Sequence, residues 1–200
     1  MSENVDTICV QGGYQPGNGE SRTPPIIQAT TFKYQSSEQM SRLFDLSESG
    51  YFYPRLQNPT NDTVAAKICE LEGGSAAMLT SSGQAANFFA IFNIAGCGDH
   101  VVCSTSIYGG TYNLLEHTLP QYGITTTFVD ADEENAFENA VNDKTRALFI
   151  ETIGNPNATL TDIEAVARTA HRHNIPLVVD STFATPYLVR PFEYGADIVV

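Results

Sequence analysis

Positive charge is scarce in this 200-residue chain. Lysine and arginine together number 10 against 23 aspartates and glutamates, giving a formal net charge of −13 and a pI near 4.5. A surface this acidic repels phosphodiester backbones and anionic lipid, so nucleic acids and membrane surfaces are poor partners. A local basic site for a small anion stays compatible with it. Long apolar runs are also missing: none approaches the ~20 residues a membrane span needs. The start, Met1-Ser2-Glu3-Asn4-Val5-Asp6, has no basic residue and no apolar core, unlike a secretory signal. The expectation is a soluble, cytoplasmic chain.

Cysteine is sparse and unpatterned. Cys9, Cys69, Cys97 and Cys103 form no C-x-x-C pair, and no histidine stands at ligand spacing from them. Single buried thiols are expected, without a metal or a disulfide framework. Ser-His-Asp order, G-x-G-x-x-G and Walker loops, internal repeats and low-complexity tracts are all missing. His171 and His173 lie two apart on a helix and face different ways; His100 and His117 have no nameable partner.

What is present is a core. Apolar residues make up 42% and charged residues only 16%, which excludes a disordered chain. Residues 1–58 show no clear periodicity and read as an irregular arm, broken at Gly12-Gly13, Pro16-Gly17, Asn18-Gly19 and Pro24-Pro25. Such an arm is expected to pack on a neighbouring subunit. Residues 59–200 read as one α/β domain. Asn58-Pro59-Thr60 starts a helix with Val64, Ala65, Ile68 and Leu71 at helical spacing, and Gly73-Gly74 stops it. A short apolar run, 76–79, reads as a strand leading into Ser81-Ser82-Gly83. A second helix, from Gln84 to about Ile94, is dense in alanine and phenylalanine and is expected to be buried.

Strands at 100–104, 125–130, 146–152, 177–180 and 196–200 then alternate with helices at 110–121, 133–141 and 163–174, the last capped by Asp162. Near-continuous apolar strands with helical links predict a mostly parallel sheet covered on both faces. The chain stops inside a strand, Gly195-Ala196-Asp197-Ile198-Val199-Val200, and reads as the N-terminal part of a longer protein.

Loops after parallel strands share one edge of a sheet, where ligands bind. Thr80-Ser81-Ser82-Gly83-Gln84 offers small residues and the free N–H groups of a helix start, fit for a phosphate or for a plain serine cap. In Ser106-Ile107-Tyr108-Gly109-Gly110-Thr111, two glycines leave the Tyr108 ring over open space, either to stack on a flat ligand or to lie on the surface. Asp180, ending the apolar run 175–179, either caps a turn or faces a cation, because a buried carboxylate is costly alone. Arg55, in Tyr51-Phe52-Tyr53-Pro54-Arg55, is a candidate phosphate clamp or an ordinary surface ion pair. In Glu151-Thr152-Ile153-Gly154-Asn155-Pro156, Asn155 either bonds a ligand oxygen or shapes the turn.

In order, Tyr53-Pro54-Arg55, Asn58-Pro59-Thr60, Leu71-Glu72-Gly73-Gly74, Ser81-Ser82-Gly83, Tyr108-Gly109-Gly110-Thr111, Gly154-Asn155-Pro156 and Val179-Asp180 with Thr182-Phe183-Ala184-Thr185-Pro186 resemble the cysteine and methionine metabolism family of pyridoxal-phosphate (PLP) enzymes. The resemblance covers nearly the whole chain and implies the aspartate-aminotransferase-like type I fold. Gly154-Asn155-Pro156-Asn157 and Pro186-Tyr187-Leu188 are most similar to family members that replace the acetoxy group of O-acetylhomoserine by sulfide or a thiol, giving homocysteine or methionine. Cystathionine γ-synthase, cystathionine γ-lyase and methionine γ-lyase are the alternatives within the family, and a non-catalytic PLP-domain fragment is the alternative of another class.

The resemblance also implies roles. Asp180 pairs with the pyridine nitrogen, with Thr182 beside it, and Tyr108 stacks on the ring and assists catalysis. Ser82, Gly83 and Gln84 hold the phosphate, and Asn155 sits near the ring hydroxyl. Tyr53 and Arg55 reach the phosphate of a neighbouring subunit, in a tetramer of active dimers. Gly110 stands where methionine γ-lyases carry cysteine, and Ser181 where asparagine is common. The Schiff-base lysine is expected beyond Val200; Lys33, Lys67 and Lys144 lie outside every matching segment.

Overall fold

The computed structural model describes residues 4–200. The chain divides into two compact units, the first ending at Leu79 and the second spanning Thr80–Val200. This boundary falls some twenty residues beyond the one expected after residue 58.

Two short helices interrupt the irregular stretch before Pro59. α1 (Val5–Gln11) starts at Asn4, whose side chain accepts from the Asp6 N–H, and α2 (Ser37–Phe44) starts at Ser36, which accepts from the Gln39 N–H. Each buries one residue, Ile8 and Leu43. α3 (Pro59–Glu72) is the helix the sequence predicts. Asn58 caps it, Pro59 sits at its first position, and Gly73 ends it at φ 74°. The Asn58 amide donates to the Ile27 carbonyl at 3.0 Å, and Thr60 Oγ1 accepts from the Ile27 N–H at 2.9 Å, strapping the preceding segment to the helix start. No strand forms at 76–79, and none of the five described strands lies in this unit; a strand without a neighbour leaves its backbone groups unpaired.

The second unit is a parallel sheet of β1 (His100–Ser104), β2 (Thr125–Val129), β3 (Thr145–Glu151), β4 (Leu177–Asp180) and β5 (Ile198–Val199), in the order β2-β1-β3-β4-β5. Strand side chains alternate between two cores. Val101, Cys103, Ala147, Phe149 and Val178 meet α4 (Gly83–Phe92) and the segment after β1 on one face. Val102, Leu148, Ile150, Leu177 and Val179 meet α6 (Ala136–Ala140) and α7 (Ile163–Arg172) on the other. Each of these strand residues is fully buried. Burying one such Val, Leu, Ile or Phe side chain contributes about 1.5–3 kcal/mol, which is why both faces demand helices.

α7 shows the logic in sequence: Ile163, Val166, Ala167 and Ala170 form one buried stripe, and Asp162 Oδ1 accepts from the Ala165 N–H at 2.9 Å. The helix expected at 110–121 is α5 (Gly109–Asn113), continued by a π turn at Leu114–Thr118 and a 3-10 turn at Leu119–Tyr122. α8 (Thr185–Leu188) and a 3-10 turn at Pro191–Tyr194 complete the unit.

Two expectations are corrected. α4 is apolar on most sides but buries only Asn87 and Ile91; Phe89 and Phe92 stay exposed, since a helix lying on one sheet face presents only one stripe to it. Of the four cysteines only Cys103 is buried, while Cys9 and Cys97 are exposed. No described helix is long and apolar enough to cross a membrane.

Candidate active site

β1, β3 and β4 run parallel, so Ser104, Glu151 and Asp180 end them on one sheet edge. A cleft of about 330 Å³ opens there. Ser82, Gly83, Gln84, Tyr108, Asn155 and Asp180 all line it, as does Thr182. Seven of the residues singled out from sequence thus meet in one place, although they span a hundred positions. Tyr53 and Arg55 lie in the first unit and are not among the lining residues. The Arg55 guanidinium sits over the Tyr53 ring, 4.9 Å from its centroid, and Arg55 forms none of the described ion pairs.

Two of these residues act as caps. Ser82 is a plain cap, its Oγ accepting from the Ala85 N–H at 3.1 Å. That cap leaves the first-turn N–H groups of Gly83 and Gln84 without intrahelical partners, at the positive end of a ten-residue helix. A Cβ on Gly83 would meet nothing within 4 Å, so the backbone there faces open space. Asp180 likewise does two things. Its Oδ1 caps a turn, accepting from the Thr182 N–H at 3.0 Å and the Thr182 hydroxyl at 2.6 Å. Its Oδ2 accepts from the Asn87 amide at 3.2 Å, and the residue is only 8% exposed.

Tyr108 is half exposed, as a ring standing over a cleft must be. Gly110 lies beneath it: a Cβ at 110 would fall 2.5 Å from Tyr108 Cε1. Asn155 is joined to Pro156 by a cis peptide bond.

Sequence reasoning missed Asn87 and Glu151. Asn87 is buried on α4, and its amide also donates to Thr111 Oγ1, which accepts a second bond from the Gln84 amide. Its signal was a polar residue in the interior of an otherwise apolar helix, four positions after Gly83. Asn87 Oδ1 is buried with no donor among the described residues, and so is the Ser181 hydroxyl next to Asp180. An amide therefore does reach Asp180, from Asn87 rather than from position 181.

Glu151 pairs in register with Asp180 across β3 and β4. Its two oxygens accept from the Tyr108 N–H at 2.7 Å and the Asn155 N–H at 3.2 Å. Burial pushes the Glu151 carboxyl up from its ordinary range and the Asp180 charge adds to this, while the two N–H bonds oppose it. Its signal was the same as that of Asp180: a carboxylate closing an apolar strand.

The cleft thus brings together the start of α4, with two N–H groups lacking intrahelical partners, and two buried carboxylates. None of the described ion pairs supplies those carboxylates with a lysine or arginine. Lys144 precedes β3, at the opposite edge of the sheet.

Comparison with known proteins agrees with this geometry. An O-acetyl-L-homoserine sulfhydrylase of Leptospira meyeri is 46% identical over 98% of this chain and 44% of its own length. A homocysteine/cysteine synthase of Saccharomyces cerevisiae is 42% identical over 100% of this chain and 46% of its own. A Campylobacter jejuni crystal structure containing N′-pyridoxyl-lysine-5′-monophosphate superposes with a TM-score of 0.95 at 36% identity, over 98% of this chain and 48% of that one. The chain spans about half the length of these relatives, and it shares their type I PLP fold. Residues 6–200 match the family described as Cys/Met metabolism PLP-dependent enzyme, and the chain belongs to that family.

Proposed function

We propose that the protein catalyses PLP-dependent γ-replacement on O-acetylhomoserine, exchanging the acetoxy group for sulfide or a thiol to give homocysteine or methionine. One observation carries the reading: a helix N-terminus, an open tyrosine ring and a buried carboxylate without a protein cation line a single cleft. The residues present fit PLP. The space beyond Gly83 admits a phosphate to the N–H groups of Gly83 and Gln84, and Asp180 is the anion a protonated pyridine needs. Bound there, PLP supplies an electron sink for charge developing next to the substrate's amino group.

The chain's own residues bind and orient. Gly83 and Gln84 hold the phosphate, with Ser82 fixing the helix start. Tyr108 covers one ring face and excludes water from it. Asp180, held by Thr182 and Asn87, keeps the proton on the ring nitrogen. Asn155 lies at the ring-hydroxyl side. Among the described residues no lysine lines the cleft, so the movement of substrate protons would fall to a lysine outside it, with Tyr108 assisting. Tyr53 and Arg55, from the arm, serve the phosphate of a second subunit; an oligomer of active dimers and a cytoplasmic location belong to the same reading.

Relatives include an L-methionine gamma-lyase of Fusobacterium nucleatum, 45% identical over 88% of this chain. Gly110, in the place where methionine γ-lyases of the family carry a cysteine, favours replacement over methionine elimination. The test is turnover by the full-length protein of O-acetylhomoserine with sulfide against methionine and against cystathionine. Preference for the first pair is expected, together with a visible absorbance band that borohydride fixes to a lysine. Faster turnover of methionine overturns the assignment; absence of both band and adduct overturns the enzyme reading.

A further inference from the structure

We propose that Glu151 is a positioning residue of this cleft: its carboxylate ties the backbone at Tyr108 to the backbone at Asn155 and thereby fixes the Tyr108 ring where a flat ligand stacks. The inference rests on the PLP reading of the cleft.

Two loops that leave different strands converge here. One follows β1 and carries Tyr108; the other follows β3 and carries Asn155. Glu151 bridges them with one oxygen each, at 2.7 and 3.2 Å. The loops are pressed together at a second point, since a Cβ on Gly154 would lie 2.8 Å from the Ser106 carbonyl oxygen. Tyr108 caps α5 without a side-chain bond: its carbonyl accepts from the Tyr112 N–H at 2.9 Å, and its own N–H donates to Glu151, so the carboxylate ties down the entry to the helix at the base of the ring. Gly110 leaves the space beneath the ring, which a Cβ there would fill. The backbone at Tyr108 is thus tied on one side and the ring has room on the other.

The alternative is that Glu151 transfers protons to substrate. Its hydrogen bonds argue against this. Both oxygens face backbone N–H donors, and a neutral carboxyl would turn its O–H toward one of them. Only 5% of the residue is exposed. A negative charge kept in that place, one strand from Asp180, is costly, and the two loop bonds are what it provides in return.

Pyridoxine 5′-phosphate is a suitable probe, because it carries ring and phosphate but no aldehyde and needs no lysine. Its dissociation constant is measured by ring fluorescence on the full-length protein freed of cofactor. Glu151→Gln, equal in size, leaves one N–H facing an amide N–H, and should weaken the probe on the order of tenfold through lost stacking. Glu151→Asp keeps the charge but shortens the reach, and should weaken it similarly; it also serves if the glutamine variant does not fold by circular dichroism. In a Tyr108→Ala background, both substitutions should change affinity by less than about twofold, because the ring they position is gone. Unchanged affinity in Glu151→Gln overturns the proposal, as does a tenfold loss that persists without Tyr108. Retained affinity in Glu151→Asp alone makes Glu151 a source of field and overturns it too. If the unaltered protein does not bind the probe, or if Tyr108→Ala and Asp180→Asn bind it undiminished, it is the PLP reading that fails.

Discussion

A Cβ built on Gly110 lies 2.5 Å from Cε1 of Tyr108 and 3.1 Å from its Cδ1. The aromatic ring therefore occupies space that every other residue type at 110 would claim. Gly110→Ala should move the ring and weaken PLP binding several-fold. The same change removes a glycine from α5, which favours the helix by up to about 1 kcal/mol. Thermal melts and PLP titration should thus move in opposite directions: equal or higher stability, lower affinity. Equal affinity in the alanine variant would show that the ring has room to yield.

Asp180 is predicted to matter to chemistry and little to folding. Asp180→Ala should lower γ-replacement by on the order of a hundredfold or more in the full-length protein, with unchanged circular dichroism. Thr182→Val removes the 2.6 Å hydroxyl donor but keeps the backbone N–H on the same oxygen. Its effect should be milder than that of Asp180→Ala. Near-normal turnover in Asp180→Ala would remove Asp180 from the mechanism.

Ser82 serves the helix and the proposed phosphate site at once. Ser82→Ala deletes the acceptor for the Ala85 N–H and should cost about 1 kcal/mol in urea unfolding. PLP affinity should also fall, since the first turn of α4 is no longer fixed. Inorganic phosphate should compete with PLP less well against the variant than against the unaltered protein. A loss of stability with no loss of PLP affinity would confine Ser82 to capping.

His100 gives the fold a pH dependence. It is 5% exposed, between Thr145 at 2.9 Å and Thr127 at 2.8 Å, and burial lowers its imidazole from the ordinary value of 6.5. A lowered value means the folded protein resists protonation there. The associated stability is present above the ordinary imidazole range and is lost as pH falls through the folded-state value. Glu151 works in the opposite sense: its raised carboxyl favours the fold at low pH, and that contribution fades as pH rises through its folded-state value. Urea midpoints between pH 7 and pH 5 should therefore drop less steeply in His100→Asn than in the unaltered protein. Parallel slopes would show that His100 does not drive the drop.

The sheet was legible because its strands are short apolar runs between helical stripes. β1 and β4 fall where the runs 100–104 and 177–180 place them, and Asp162 caps α7 as its position suggests. Ser82, Tyr108, Asn155 and Asp180 could be placed in one cleft because each sits at a strand end, in the loop after a strand or at a helix start on a shared edge. The arm's helices were not legible: α1 spans seven residues, and the apolar stripe of α2, Met40, Leu43 and Phe44, lies within only two turns between irregular segments. Asn87 and Glu151 escaped for another reason. Their partners lie 93 positions away, at Asp180, and 43 away, at Tyr108, and only the fold brings those pairs together. α4 misled because its apolar composition gave no hint which residues would face the sheet; Asn87 is buried there and Phe89 is not.

On the proposed reading, the charges lining the cleft would decide more than affinity. A ligand that carries an anion and a cation would meet N–H groups at the start of α4 and carboxylates at Asp180 and Glu151. Turned end for end, the same ligand would put its anion beside the carboxylates and its cation beside the N–H groups, with repulsion at both. Charge, more than shape, would then set which way the ligand lies. The cleft would act as a keyed socket, rejecting the reversed ligand before any bond is made.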